Sequence, residues 1–332
     1  MLADIAGSFD WQTFLQFCLN GLLLGMLYAL IALGYTMVYG IVELINFAHG
    51  DLFMLGTFYA LTVLTVLGFN EPLDSPPPGT LMAILAFIVL IITVPMFTAG
   101  TNVAIDRIVY KPLRNAPKLA PLVSAIGVSF VLMNIGFFWS SFVDEAGRPV
   151  SPSSDRSFPG NVLPSGNLLG EESALQFTPS ALMVILVTIP IMLALTWMVK
   201  FTTLGKSMRA VAQNPTAARL MGINVDRVIM YTFLIGGALA GVGSIVYGLH
   251  IKTISYQVGF QNGLYAFTAA VLGGIGNIPG AVLGALIIGL VRTLGSSLID
   301  ESWVSAMVFV ILIVILVFRP AGLLGARIRE KV

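Results

Sequence analysis

The chain has 332 residues, of which 57% are hydrophobic and 10% charged, with a formal net charge of +1. The apolar residues gather in continuous blocks rather than at amphipathic spacing, which excludes an ordinary soluble domain and marks a polytopic membrane protein. The lone Cys18 can form no internal disulfide and reports nothing about redox compartment.

The first block, about 14–38, is too long for the apolar core of a signal peptide and follows MLADIAGSFDWQ, which has no basic residue. It is expected to stay as a first span. Further spans are expected at about 51–69, 81–103, 120–142, 180–199, 227–249, 280–298 and 303–318, giving an all-α fold of about eight transmembrane helices. Two stretches, 39–50 and 262–279, are apolar but broken by Gly, Pro and polar residues, and read as interrupted or re-entrant segments.

The first of these breaks runs into VELINFAHGDLFMLG, which sets Asn46, His49 and Asp51 around Gly50 with Glu43 just upstream. A helix starting at Asp51 would set its carboxylate at the positive end of the helix dipole, where it accepts backbone N–H groups. Against that capping and packing role stands a place in a solute or ion pathway. Depth separates the two, because a charge at the bilayer midplane costs roughly 2.5–3.5 kcal/mol to insert and one near the interface costs little. Metal binding would need more ligands, and Glu43 and Asn46 are the near candidates.

Two polar segments divide the spans. The outer one, about 143–178, is rich in Pro, Ser, Gly and acid and suits a solvated loop, either a tether between a first half (about 14–142) and a second half (about 180–318) or a landing surface for an extracytoplasmic partner. The inner one, about 200–226, reads as a helix, a turn at Asn214-Pro215, a second short helix and a stop at Gly222. Its apolar Met208, Val211, Ala212, Ala217, Ala218, Leu220 and Met221 alternate with Arg209 and Arg219, so that one face can rest on protein or lipid.

Beyond that segment, AFTAAVLGGIGNIPGAVLGALIIGL places Thr268, Gly273, Gly274, Asn277 and Pro279 between apolar runs. An unwound stretch at membrane depth must line a cavity or be buried in protein, so this is a second candidate wall of a pathway. A faint echo between HGDLFMLGTFYAL and NGLYAFTAAVLGG is compatible with a two-half pseudo-repeat, a common transporter plan. The pairs Gly21/Gly25, Gly237/Gly241 and Gly280/Gly284 have the spacing that lets membrane helices approach closely.

Alternating the spans puts 13 of the 17 basic residues on one side, from Arg107, Lys111, Arg114 and Lys118 through Lys200, Lys206, Arg209, Arg219 and Arg227 to Arg319, Arg327, Arg329 and Lys331. The positive-inside rule makes that side cytoplasmic, with the N-terminus outside and the C-terminus inside. Arg148, Arg156 and Lys252 fall outside, and Arg292 falls within a span. Catalytic motifs are missing: His49 and His250 are far apart, and Gly205-Lys206-Ser207 has Lys200 where a phosphate-binding loop needs its leading Gly.

The runs YALIALGYTMVYGIVELINFAHGD, VYKPLRNAPKLAPLVSAIGVS, GINVDRVIMYTFLIGGALAG and AFTAAVLGGIGNIPGA resemble the LivH-type inner-membrane permease of branched-chain amino acid ABC importers, nearly end to end from about residue 14. The resemblance implies a single permease domain that pairs with a second, LivM-like permease, docks two cytoplasmic ABC ATPases and receives its amino acid from a periplasmic amino-acid-binding protein. No cofactor on this chain is implied, since ATP and Mg belong to the ATPases, and no nucleic acid. Such permeases carry an ATPase-docking loop of the form E-A-A-x3-G. Thr216-Ala217-Ala218 and Gly222 have that spacing, with Thr216 in place of Glu, and Arg209, Asn214 and Leu220 flank it. Urea, short amides or other neutral amino acids are alternative solutes, and pairing as a homodimer is an alternative assembly. An ion-coupled carrier using Glu43 and Asp51, and a passive channel, are the alternative mechanisms.

Overall fold

The computed structural model describes residues 11–69, 79–114, 116–117, 119–140, 151–159, 162–164, 166–319 and 321–325. Both termini lie outside these residues, as do Lys118, Arg148, Arg327, Arg329 and Lys331. In chain order come α1 (Trp11–Val42), α2 (Ala48–Val66) and α3 (Thr80–Ile105), the last continued by a π turn at Asp106–Tyr110 and a helical turn at Lys111–Leu113. Then follow α4 (Leu119–Ser140), β1 (Arg156–Ser157), α5 (Pro179–Phe201), α6 (Thr203–Gln213) and α7 (Pro215–Leu220). The chain continues with α8 (Val225–Ile251), β2 (Thr253–Ile254), α9 (Val258–Gly273), α10 (Ile278–Leu298) and α11 (Glu301–Phe318).

Among the described residues seven helices, α1 to α5 with α8 and α10, are long and apolar enough to cross a membrane, and α11 is a shorter apolar helix. This is a multi-pass membrane protein. Burial sorts the helices into layers: the apolar windows of α2 and α8 are 72% and 67% buried, those of α3, α4 and α5 only 22%, so the latter turn apolar faces such as Ile91, Phe130 and Leu186 outward.

The two interrupted stretches are more helical than the sequence suggests. α1 runs on to Val42 and α9 is regular to Gly273, so the breaks shrink to 43–47 and 274–277. Thr268 and Gly273 therefore sit in a helix and not in an unwound segment, and the Thr268 hydroxyl donates to its own helix at Leu264 O (2.8 Å). Glycine costs a helix only about 1 kcal/mol, which packing against α1, α2 and α10 overrides.

All three glycine pairs mark helix crossings. Gly21 and Gly25 meet α10 at Leu290, Leu286 and Ala285, Gly237 and Gly241 meet α3 at Ala99 and Pro95, and Gly280 and Gly284 meet α9 at Gly273 and Ala269. The first of these seats α1 against α10, so the two chain halves interleave in space.

The connections cluster at two ends of the bundle. At one end Arg114 bonds Asp226 (2.7 Å) and Asp106 (2.8 Å), Lys111 reaches Asp226 (3.5 Å), and Asn277 Nδ2 donates to Leu324 O (2.7 Å). At the other, Gln16 bonds Gln176, Ser180 lies 3.2 Å from His250, and β1 pairs antiparallel with β2. α9 links the two ends. Eight alternating spans alone would return the C-terminus to the side of the N-terminus, so the expected sidedness requires this extra passage, which brings residues 321–325 to the end where the described basic residues gather.

The described residues of the 143–178 loop are pinned at that second end rather than slack. Phe158 N donates to Lys252 O (2.8 Å), the Phe158 ring is fully buried against Gly248, and Asn167 ties Leu169, Gly170, Leu175 and Phe177 together. Phe158→Ala is expected to cost about 3–5 kcal/mol, the usual penalty for emptying a buried phenyl site. Faster protease clipping within 151–178 measures it, and an unchanged clipping rate contradicts it.

Candidate functional site

α1 ends because Glu43 takes a left-handed backbone (φ 54°) and turns the chain back into the bundle. α2 then begins at Ala48, three residues before Asp51, and its N-cap Phe47 makes no side-chain capping bond. Asp51 is thus not the cap. It sits in the first turn, where the dipole favours a carboxylate, and its Oδ2 accepts a hydrogen bond from Ser129 Oγ of α4. Asn46 Oδ1 accepts from Tyr110 OH (2.7 Å) at the end of α3. The imidazole of His49 occupies the space a side chain at Gly34 would need and meets the Tyr35 ring edge-on at 4.9 Å. Gly50 leaves α2 in backbone contact with Gly259 and Gly263 of α9.

His49 lies beside Gly34, eight residues before Val42, which puts it about 12 Å inside the end of α1 at roughly 1.5 Å per residue. Asn46, His49 and Asp51 are each 1% exposed. Asn46 Nδ2, Asp51 Oδ1 and both His49 nitrogens have no formed hydrogen bond, although the Ile31 carbonyl faces the imidazole. The break is thus a deeply set polar group cluster held by protein on every side.

The second break is knitted to the chain beyond α11. Leu323 N donates to Leu272 O (2.8 Å) and Leu324 N to Gly273 O (3.0 Å), supplying the carbonyls that the end of α9 leaves open. Asn277 caps α10 by accepting from Gly280 N (3.1 Å). Gly274 and Gly276 take positive φ (104° and 87°). Gly274 also has the Gly325 backbone against it, so the turn admits no side chain there.

The two breaks meet. Gly40 of α1 touches Gly276, and a void of about 10 Å³ lies between Tyr35, Tyr39, Ile45, Asn46, Phe267 and Ile275. Such a void holds one water at most. Below it, at the basic end, opens a cavity of about 810 Å³ lined by Tyr39, Thr196, Lys200, Arg209, Ile275 and Asn277.

α6 and α7 cover that end. Thr202 caps α6 by accepting from Gly205 N (3.1 Å), Asn214 caps α7 through Ala217 N (3.0 Å), and Asn224 caps α8 through Arg227 N (3.0 Å). Gly205 packs on the carbonyls of Met198 and Val199, and the Arg209 guanidinium donates to Val199 O, so α6 is joined to the end of α5. The apolar positions that the sequence groups on one face of the second helix part company in so short an element. Ala218 is buried, whereas Leu220 and Met221 are 84% and 82% exposed, and Thr216 and Ala217 are exposed too. Gly222 closes the turn with φ 84°.

Sequence reasoning missed Tyr39, Tyr110, Ser129 and the 321–325 strand of contacts. Ser129 carries the one faint signal, a hydroxyl inside an apolar block; the others become neighbours through the tertiary fold alone.

The chain matches the family model described as "Branched-chain amino acid transport system / permease component" over residues 17–317. It is 39% identical to the high-affinity branched-chain amino acid transport system permease protein BraD of Pseudomonas aeruginosa, over 96% of this chain and 98% of the relative. It is 38% identical to the permease protein LivH of the same system in Escherichia coli, over 96% and 98%. A probable branched-chain amino acid transport permease protein LivH of Methanocaldococcus jannaschii is 26% identical over 90% and 89%. No solved structure gives a significant match. The chain is therefore a member of the branched-chain amino acid transport permease family.

Proposed function

We propose that this permease is the membrane-spanning subunit of an ATP-binding cassette importer carrying leucine, isoleucine and valine into the cytoplasm. Two cytoplasmic ATPases hydrolyse the ATP with its Mg, a LivM-like permease completes the membrane part, and a periplasmic binding protein delivers the amino acid. This chain catalyses no reaction and holds no cofactor in that scheme. The basic end is cytoplasmic by the positive-inside rule, which leaves the N-terminus outside and the C-terminus inside.

The observation that carries the reading is the α6–α7 turn, which presents Leu220 and Met221 to the outside on capped helices joined to the end of α5. Apolar side chains held out on a rigid element suit insertion into a partner's pocket. Arg209, Asn214, Thr216, Ala217, Ala218 and Gly222 shape that element. Lys200 and Arg209 carry its position into the 810 Å³ cavity, whose other wall is the 274–277 turn. ATPase closure then shifts the turn against the 43–47 break, parts Tyr39, Ile45 and Ile275, and opens the route inward. In this scheme Glu43, Asn46, His49 and Asp51 form one wall and Thr268, Gly273, Gly274 and Asn277 the other.

Gly222→Val tests the coupling. Open space surrounds the missing Cβ, so the penalty is backbone strain of about 1–2 kcal/mol falling on the turn itself. ATP-driven leucine uptake is expected to fall at least about ten-fold, the effect of roughly 1.4 kcal/mol, with the yield of folded permease unchanged. Normal uptake in that variant contradicts the coupling role.

A further inference from the structure

Arg292 takes no part in either break. It lies six residues before the outer end of α10, about 9 Å inside the bundle at roughly 1.5 Å per residue. Its guanidinium donates to Tyr28 OH and stands 4.7 Å from the Tyr265 ring centroid and 5.9 Å from that of Tyr28. The two rings are 5.6 Å apart, and Tyr265 OH is 2.6 Å from Ser305 Oγ. Residues from α1, α9, α10 and α11 therefore converge on one cation at membrane depth, where an arginine is costly and faces the protein interior or a wet cavity.

Two cavities adjoin it. One of about 520 Å³ is lined by Arg292 with Gln261, Tyr265 and Ser305 on its polar side and Phe260, Leu264 and Phe309 on its apolar side. The other, about 270 Å³, continues past Arg292 to Thr293 and Ser296 at the outer end of α10. A guanidinium offers a planar fork that fits a carboxylate bidentately. The Gln261 side-chain carbonyl and the Ser305 hydroxyl are acceptors for an ammonium, and the Phe260, Leu264 and Phe309 side suits a branched aliphatic chain. The larger cavity falls within the usual range of small-molecule sites, roughly 300–1,000 Å³.

Resting on the import reading above, we infer that this cavity is a receiving site for a zwitterionic aliphatic amino acid on its way inward, with Arg292 binding its carboxylate. Tyr28 and Tyr265 are positioning residues that fix the guanidinium plane. The site lies on the outer side of the Tyr39–Ile45–Ile275 constriction, so an amino acid bound there has entered the permease and has yet to pass the closed breaks.

The test uses the complete complex in vesicles, with the binding protein loaded with a radiolabelled diazirine analogue of leucine. Irradiation in the presence of ATP and vanadate should place adducts on peptides containing 260–265 and 304–309. Arg292→Gln should lower those adducts and leucine uptake by at least about ten-fold, the loss expected for a charge-assisted bond. Arg292→Lys, which keeps the charge, should restore most of both. Because a structural role for Arg292 would mimic the uptake loss, the yield of folded permease and its pairing in the complex are measured in each variant and should not change. Adducts at other sites alone, or adducts undiminished in Arg292→Gln, would overturn the inference. So would normal uptake in Arg292→Gln with loss of a tightly held anionic lipid, which would assign the guanidinium to a phosphate headgroup. Absence of ATP-driven uptake by the unmodified complex would instead overturn the import reading, and the adduct map reports occupancy of the cavity independently of transport.

Discussion

Leucine in place of Gly25 is expected to leave no folded permease in the membrane. A Cβ at that position would lie 2.7 Å from Leu286 Cα and 2.8 Å from Ala285 O, so the obstruction is the backbone of α10, which cannot swing aside as a side chain can. Overpacking by a few methylenes ordinarily costs about 1–3 kcal/mol. Here α1 and α10 must separate along their whole crossing, and the penalty approaches the roughly 5–15 kcal/mol that holds a domain folded. Gly100 is the control, because a Cβ there meets nothing within 4 Å and the residue is exposed. Gly100→Leu should accumulate normally while Gly25→Leu is degraded or elutes as aggregate. A monodisperse Gly25→Leu protein would contradict the packing of α1 on α10.

The second large effect is functional and leaves the fold alone. Leu220→Glu with Met221→Glu changes two side chains that are 84% and 82% exposed, and exposed substitutions shift stability by about 0.5 kcal/mol or less. If these residues fill a pocket of the ATPase, each removes an anchor of the kind worth about 2–4 kcal/mol, or roughly 30- to 1,000-fold in affinity. The ATPase subunits should no longer co-purify, and ATP-driven uptake should disappear. Full retention of the ATPases in the double variant would place the docking surface elsewhere.

Much of this architecture was legible in the residues, and the part that was not has a physical reason. The eight apolar blocks, the basic end, the turn at Asn214-Pro215 and the stop at Gly222 are local features, written in hydropathy, charge and turn chemistry. The close helix crossings could be suspected from Gly21/Gly25 and its two counterparts, although spacing does not say which helix lies opposite. The extent of the breaks was overestimated. Gly, Asn and Pro within an apolar run suggest unwinding, but packing around Thr268 and Gly273 keeps α9 helical and leaves a break of four residues. Asp51 looked like a helix start because a carboxylate before an apolar run usually is one; the helix begins earlier, where Glu43 has already reversed the chain. The pairings of Asp51 with Ser129, Asn46 with Tyr110 and Asn277 with Leu324 join positions far apart in sequence and leave no periodic trace.

The outward aim of Leu220 and Met221 was hidden for a related reason. In a helix of six residues (Pro215–Leu220) a single turn decides which side chains face the bundle, and Asn214 and Gly222 set that turn through backbone geometry rather than through an amphipathic pattern.

The most direct measurement is uptake of labelled leucine and urea into vesicles carrying the permease purified with its stoichiometric partners, with and without ATP. A second permease and an ATPase are expected in the preparation, with leucine uptake that requires ATP and survives collapse of the proton and sodium gradients. Uptake without an ATPase partner, following an ion gradient, would contradict the import reading and turn attention to Glu43 and Asp51 as coupling carboxylates.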